Sequence, residues 1–136
     1  NKIPLTFNHP VKELVWRHDA DDKLTDAVLK LNGHERFAKR HGMYFSRVQR
    51  YQHHSGALSC NAHQASDEDT LTKTYMYSFA LQPEEHQPSG TCNFSRIDNA
   101  LLEINSSGTA NCTDVYAVSY NVLRVMSGMG GLAYSN

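Results

Sequence analysis

Short blocks of alternating apolar and polar residues run through most of the chain. Pro10–His18 alternates in part: Val11, Leu14 and Trp16 are apolar, charged residues lie among them, and several side chains are β-branched or aromatic. A period of two predicts a strand with one buried face. Similar patterns predict strands at Pro10–His18, Ala27–Gly33, Met43–Tyr51, Thr74–Leu81, Thr91–Ile97, Ala100–Asn105 and Val115–Met126, with a last short strand within Ser127–Asn136.

Polar segments rich in Gly, Pro, Ser, Asn and Asp separate these blocks and predict turns and loops. Asn32–Gly33 is a sequence typical of a tight hairpin turn. The charge spacing in Arg36–Arg40 fits a short helix. The predicted loops are Asp19–Asp26, Ser55–Thr72, Gln82–Gly90 and Ser106–Asp114.

Seven or eight short strands separated by turns are typical of an all-β sandwich or barrel. The 136 residues suit a single domain, 1–136, that buries a core without disulfides or metals. Within Thr74–Leu81, the alternation places Tyr75, Tyr77 and Phe79 on one face of a strand. We therefore expect these aromatic side chains to pack in the core or on a sheet face.

The composition excludes several classes of protein. Thirteen Lys and Arg against fourteen Asp and Glu give a formal net charge of −1, which argues against a nucleic-acid-binding module. No apolar run approaches the roughly 20 residues of a membrane span. The N-terminus has neither a signal-peptide layout nor an initiator Met, so we expect a processed product, an expressed fragment or part of a longer protein.

The cysteines point to a reducing environment rather than to secretion, and the glycosylation sequons do not change this. Three cysteines, Cys60, Cys92 and Cys112, do not form a disulfide framework, and we expect free thiols. Glycosylation sequons occur at Asn93, Asn105 and Asn111, but nothing in the sequence indicates passage through the secretory pathway.

Two clusters contain residues suited to chemistry. His53, His54, Cys60 and His63 include zinc-ligand types, although their spacing lacks the paired Cys-x2-Cys form. Glu84, Glu85 and His86 offer acid and base groups, but adjacent residues on a loop do not converge without a fold that aims them. A solvated loop and a charged turn are the simpler interpretations of these two clusters.

Other candidates lack the context that their chemistry requires. Cys92 has His86 as its nearest histidine in sequence, six residues away, and Ser127 lies beside glycines without a Gly-x-Ser-x-Gly elbow. Arg96 and Asp98 are close enough in sequence to pair locally. We therefore expect structural rather than catalytic roles for these residues.

Five segments closely resemble the C-terminal part of the major capsid protein of nucleocytoplasmic large DNA viruses, the iridovirus, phycodnavirus and asfarvirus group. Together they cover most of the chain in order, and Tyr77–Ile104 is the longest and most specific. The segments are NHPVKELVW (Asn8–Trp16), LNGHERF (Leu31–Phe37), YFSRVQRYQHH (Tyr44–His54), YSFALQPEEHQPSGTCNFSRIDNALLEI (Tyr77–Ile104) and YNVLRVMSGMGGLAYSN (Tyr120–Asn136).

The resemblance implies a fold and a role. Proteins of this family carry two jelly rolls and form pseudo-hexagonal trimers that tile an icosahedral shell over an internal membrane. The chain is thus expected to be the second jelly roll, or most of one, with an unpaired edge if strands are missing. The expected partners are two further copies, neighbouring capsomers and minor capsid proteins, with the internal membrane contacted only indirectly.

The resemblance also implies a structural protein of the virion capsid, assembled in the host cytoplasm, without enzymatic activity, cofactor, metal or nucleic-acid partner. A glycan-binding jelly roll and a cupin-like metal enzyme are the alternatives. Histidines suggest pH-sensitive assembly. The residues expected to form a structural or assembly loop are Glu84, Glu85, His86, Pro88, Gly90, Arg96 and Asp98.

Overall fold

The computed structural model describes residues 1–18, 24–55, 73–106 and 112–134. In these residues the chain forms eleven strands and little helix, so the all-β prediction is confirmed. The strands are β1 (Lys2–Pro4), β2 (Pro10–His18), β3 (Leu24–Leu31), β4 (His34–Glu35), β5 (Arg40–His41), β6 (Thr74–Ser78), β7 (Cys92–Asn93), β8 (Ala100–Ser106), β9 (Cys112–Ser119), β10 (Leu123–Met126) and β11 (Met129–Leu132).

The first sheet has the order β1-β8-β3-β4, and β5 pairs with β3 beside β4. All of these pairs are antiparallel. In the central pair, Leu29 lies opposite Leu102 and Ala27 lies opposite Ile104. These four side chains are buried, so one face of the sheet forms a continuous apolar surface.

The second sheet is built around β2. Along β2, Glu13 pairs with Ser78 of β6 and with Val118 of β9, so those strands lie on opposite sides of β2. Val11 pairs in the same way with β7 and β9. The short β7 therefore continues the line of β6, and this sheet is three strands wide, whereas the first is four strands wide.

The core lies between the two sheets. Leu14 and Trp16 alternate along β2 and are almost completely buried, as the period of two predicts. The Trp16 ring lies 5.4 Å from the Phe45 ring and 6.1 Å from the Tyr75 ring, measured between centroids. The buried cluster is Leu5, Val11, Leu14, Trp16, Leu24, Ala27, Leu29, Phe45, Tyr75, Phe94, Ala100, Leu102 and Ile104.

The strand predicted at Met43–Tyr51 was wrong, because this segment is helical. A π-helical turn, Tyr44–Val48, runs directly into helix α1, Gln49–His53. Phe45, Ser46 and Gln49 are buried while Tyr51 is exposed, which is a helical spacing rather than an alternating one. Packing of Phe45 against Trp16 overrides the β propensity of the aromatic residues. No helix in the described ranges is long and apolar enough to cross a membrane.

The helix predicted at Arg36–Arg40 was also wrong. The Arg36 amide donates to the Leu29 carbonyl, and Arg40 and His41 form β5, so the backbone returns along β3. The preceding Asn32–Gly33 turn was predicted correctly, with both residues at positive φ (51° and 81°), as a type I′ hairpin turn requires.

Two predicted strands are interrupted. Only Cys92–Asn93 of the Thr91–Ile97 segment forms a strand; a 3-10 turn, Phe94–Arg96, follows and its start is capped by the Asn93 side chain. The run Val115–Met126 is divided between β9 and β10, because the Asn121 carboxamide oxygen accepts the Val122 amide and bends the chain. The predicted loops at 19–26, 55–72 and 106–114 lie largely outside the described residues. Where they are described, the first and last were predicted too long, because Leu24–Asp26 belongs to β3 and Cys112–Asp114 to β9.

Replacing Leu14 by Ala tests the core. We expect Leu14→Ala to lower the free energy of unfolding by roughly 2 to 5 kcal/mol, because Leu14 is fully buried between the sheets. Val15→Ala is the control, since Val15 is only partly buried on the opposite face of β2 and is expected to cost about 1 kcal/mol. Urea unfolding at low protein concentration measures both; equal losses would contradict the assigned core face.

Candidate functional site

The loop between β6 and β7 is closed by its own hydrogen bonds. The Gln82 amide donates to the Ser89 hydroxyl oxygen at 3.0 Å, and the Glu85 amide donates to the Gln82 carbonyl at 3.2 Å. Pro83 is buried beneath the loop, whereas its neighbours from Glu84 to Pro88 are exposed. The loop predicted at Gln82–Gly90 is therefore confirmed, and it has a defined shape.

The Glu84 side chain anchors this loop to the end of α1. Its Oε1 lies 2.9 Å from His54 Nδ1 and accepts the Ser55 amide at 3.1 Å, while its Oε2 accepts the Ser55 hydroxyl. These hydrogen bonds favour the ionised carboxylate. Those from Ser55, followed by the interaction with His54, lower the pKa of Glu84 below its ordinary value.

The second ring nitrogen of His54 contacts another carboxylate. His54 Nε2 lies 2.8 Å from Oε2 of Glu13, which is only 8% exposed. His54 thus has a carboxylate oxygen within hydrogen-bond distance of each ring nitrogen, and it gives the buried Glu13 carboxylate a polar partner. We call Glu13, His54 and Glu84 the carboxylate–histidine cluster.

Further polar contacts fix α1 beside β6. The Gln49 carboxamide donates to the Tyr44 hydroxyl at 2.7 Å, and its oxygen accepts the Ser78 amide at 3.1 Å. His53 Nδ1 lies 2.9 Å from the Leu81 carbonyl oxygen. The helix therefore supplies, through Gln49, a partner that a further strand would otherwise give to Ser78.

Sequence reasoning missed how these residues combine. His54 was singled out as a metal ligand and Glu84 as an acid or base, but Glu13 was treated only as a polar position in a strand. The partners of His54 lie 30 and 41 residues away, so local spacing carries no trace of the cluster. The sequence signal was a carboxylate, Glu13, within a predicted strand; the structure adds that this strand is paired on both sides.

Only two residues of the candidate metal-ligand cluster lie in the described part of the chain. Cys60 and His63 lie outside the described residues, while His53 and His54 engage the Leu81 carbonyl and the two glutamates. Among residues 1–18, 24–55, 73–106 and 112–134, no three His, Cys, Asp or Glu are grouped as metal ligands.

The remaining residues of the predicted assembly loop do not converge on the cluster. Glu85, His86 and Pro88 are exposed along the loop. Arg96 and Asp98 are also exposed, and within the described residues they do not form the local ion pair that was considered. Instead, the Asp98 amide donates to the Asn32 carboxamide oxygen at 3.0 Å, which joins two turns.

Gly90 ends the loop in a conformation that only glycine adopts readily. Its φ is +141°, and a Cβ at this position would lie 2.7 Å from the Phe79 carbonyl oxygen. The role of Gly90 is thus to let the loop backbone pass close to the end of β6.

The nucleophile and glycan candidates also have structural positions. Burial raises the pKa of the Cys92 thiol, which disfavours the nucleophilic thiolate. Ser127 occupies the turn between β10 and β11 at φ 51°. Tyr75 is in the core, where its hydroxyl accepts the Leu24 amide at 3.1 Å, and Tyr77 packs against the core. The prediction that these tyrosines pack in the core is confirmed.

Comparison with known sequences matches the chain to major capsid proteins of large DNA viruses. The family model described as "Large eukaryotic DNA virus major capsid protein" matches residues 17–131. The chain is 52% identical to the major capsid protein of Pyramimonas orientalis virus, over 100% of this chain and 39% of that protein. It is 42% identical to the major capsid protein of Paramecium bursaria Chlorella virus 1, over 83% of this chain and 29% of that protein.

Solved structures match over the whole chain. The quasi-atomic model of the PBCV-1 virus capsid gives a TM-score of 0.80 at 33% identity, covering 100% of this chain and 46% of that chain. PBCV-1 VP54, fitted into a reconstruction of the virophage Sputnik, gives 0.81 with the same coverage. The predicted jelly-roll sandwich is confirmed, and the chain spans less than half the length of these relatives.

Replacing Glu84 by Gln tests the carboxylate–histidine cluster. A carboxylate whose pKa is lowered by folding stabilises the protein above its ordinary pKa of 4.5, and this stabilisation is lost as pH falls through the lowered folded value. We therefore expect Glu84→Gln to be less stable than wild type at pH 7, with the difference shrinking as pH falls below 4.5.

Glu85→Gln is the matched control, because Glu85 is the adjacent carboxylate and its side chain is exposed. Thermal unfolding between pH 7 and pH 3 measures all three proteins. A constant difference between wild type and Glu84→Gln across this range would contradict the hydrogen bonds assigned to Glu84.

Replacing Gly90 by Ala tests the close approach of the loop to β6. We expect a loss of about 2 to 3 kcal/mol, because both the φ and the contact with Phe79 become unfavourable. Gly33→Ala is the control: its φ is +81°, but a Cβ there meets nothing within 4 Å, so about 1 kcal/mol is expected. Equal losses in urea unfolding would show that the Phe79 contact is unimportant.

Proposed function

The chain belongs to the large eukaryotic DNA virus major capsid protein family, and we propose that it is the C-terminal jelly roll of such a capsid subunit. The observation that carries this proposal is 52% identity, along the whole chain, to a protein named major capsid protein. The share of that relative covered, 39%, leaves room for a first jelly roll in the longer polypeptide.

The proposed role is structural. Three subunits would form a pseudo-hexagonal capsomer that contacts neighbouring capsomers and minor capsid proteins in an icosahedral shell, and contacts the internal membrane indirectly. A closed trimer uses heterologous contacts, in which different patches of two copies meet. Assembly in the host cytoplasm, with the product in the virion capsid, belongs to the same proposal.

A strand supplied from outside the chain would complete the second sheet. A jelly roll has eight strands in two sheets, but the described residues give this sheet a width of only three strands. Gln49 covers one edge by accepting the Ser78 amide. No described strand pairs with the outer edge of β9, so we place the additional strand there.

The path of the chain supports this placement. Every described strand pair is antiparallel, so the added strand would arrive at the Ser119 end of β9 and leave at the Cys112 end. Asn1 exchanges hydrogen bonds with Ile104, near the end of β8, which leads into β9. Residues that precede this segment in a longer subunit would therefore lie beside the open edge.

We assign no catalytic role to the carboxylate–histidine cluster. Its contacts connect β2, the end of α1 and the loop of Glu84. These three polar residues therefore have a structural role, which is to hold the loop in one conformation. We propose that the exposed residues on or near this loop, including Glu85, His86 and Arg96, present a fixed surface to neighbouring subunits. The relatives described above are all capsid proteins, which leaves the glycan-binding alternative without support.

A chimera tests this proposal. The matched segment of the Pyramimonas orientalis virus protein is replaced by this chain, and the solution mass is measured by light scattering. We expect the chimera to form trimers with a hexagonal outline in negative-stain images. The 136-residue chain alone is expected to stay near its monomer mass of 15.3 kDa at low concentration and to aggregate as concentration rises, because no described strand pairs with the outer edge of β9.

The unmodified Pyramimonas orientalis virus protein is the control for expression and assembly. A chimera that remains monomeric while this control forms trimers would refute the proposed function. Trimers formed by the 136-residue chain alone would show that the segment outside it is not needed for the subunit contacts.

A further inference from the structure

The last two strands form a hairpin that extends beyond the sandwich. Leu123 of β10 lies opposite Leu132 of β11, and Met126 lies opposite Met129 next to the turn. The turn residues Ser127 and Gly128 have φ values of 51° and 76°, as in a type I′ turn. The backbone geometry is thus that of a regular two-stranded ribbon.

The base of the hairpin is fixed. The Asn121 carboxamide donates to the Tyr134 carbonyl at 2.9 Å, and the Ala133 amide donates to the Val122 carbonyl at 2.8 Å. On the other side of Asn121, the Tyr120 amide donates to the Pro10 carbonyl at 2.9 Å. The direction in which the hairpin leaves the sheet is therefore set by hydrogen bonds.

Both faces of the hairpin carry exposed apolar side chains, and Arg124 lies beside the methionines on one of them. Residues directly opposite in an antiparallel pair lie on the same face, so Leu123, Val125 and Leu132 share one face, while Met126 and Met129 share the other. Every residue of β10 and β11 is exposed. An isolated two-stranded ribbon is marginally stable in water, so this arrangement requires a covering surface on each side.

We propose that this hairpin inserts into the part of its own subunit that lies outside this chain, the preceding jelly roll and its connection. This inference rests on the proposed function, because it requires a longer subunit. The partner surface would be apolar on both sides of the ribbon, with an acceptor for Arg124, the only charged residue between Leu123 and Leu132.

Two observations favour this occupant. More than half of the matched PBCV-1 capsid chain lies outside the aligned region, although the match extends over all of this chain, hairpin included. In addition, β9 leads into β10 after three residues. A strand added antiparallel to β9 would arrive at the Ser119 end, and the polypeptide that enters the open edge would therefore pass the hairpin.

Hydrogen exchange in the chimera tests the inference. Amide exchange of residues 120–134 is followed by mass spectrometry at concentrations below and above trimer formation. We expect exchange in the monomeric chimera to be at least about tenfold slower than in the 136-residue chain, and to change little on trimer formation.

A pair of matched variants locates the contact. Leu123 and Leu81 are exposed to a similar extent, 71% and 73%, but only Leu123 belongs to the hairpin. In the chimera, Leu123→Ser is expected to restore fast exchange in residues 120–134, whereas Leu81→Ser is expected to leave exchange unchanged.

Three outcomes would overturn the inference. Fast exchange of the hairpin in the chimera would show that nothing covers it. Protection that appears only on trimer formation would identify a second copy as the occupant. Equal effects of the two variants would show that the protection does not come from hairpin contacts. A chimera that never forms trimers but protects the hairpin would refute the capsid role while supporting the docking.

Discussion

The pairing of β2 on both edges is the constraint on which the rest of the structure depends. Because its backbone is held by β6 and β7 on one side and by β9 on the other, its side chains alternate strictly over Leu14–Arg17. Leu14 and Trp16 point into the core, where Trp16 contacts the aromatic rings of the helix and of β6. The same alternation sends Glu13 to the opposite face, where it meets His54.

The carboxylate–histidine cluster consequently depends on the pairing of β2 in the sheet. A buried carboxylate is costly without a partner, and removal of one member of a buried charge pair leaves the other uncompensated. Because His54 is the partner of Glu13, the stability of β2 depends on the position of His54 and of the end of α1. His54 also contacts Glu84, so a single histidine links the strand β2, the end of α1 and the loop between β6 and β7.

The outer edge of β9 and the hairpin that follows it both favour contact with further polypeptide. No strand among the described residues pairs with the outer edge of β9, and the hairpin presents apolar side chains on two faces; both features favour association with further polypeptide. The opposite edge of the same sheet is treated differently, since Gln49 satisfies the Ser78 amide there. In the described part of the chain, α1 thus covers one edge of this sheet while no strand pairs with the other, which suits a unit that is completed within a larger subunit.

The amino-acid sequence by itself determined the period-two strands β2, β6 and β8, the turn at Asn32–Gly33 and the loop ending at Gly90, because these depend on local alternation and backbone preference. Its motifs also identified the family. The helical conformation of Tyr44–Val48 and Gln49–His53 was decided by tertiary packing, since burial of Phe45 against Trp16 outweighs the β propensity of this segment. Only the tertiary structure could bring Glu13, His54 and Glu84 together, because contacts across 30 to 41 residues follow from strand order and register, which no local pattern encodes.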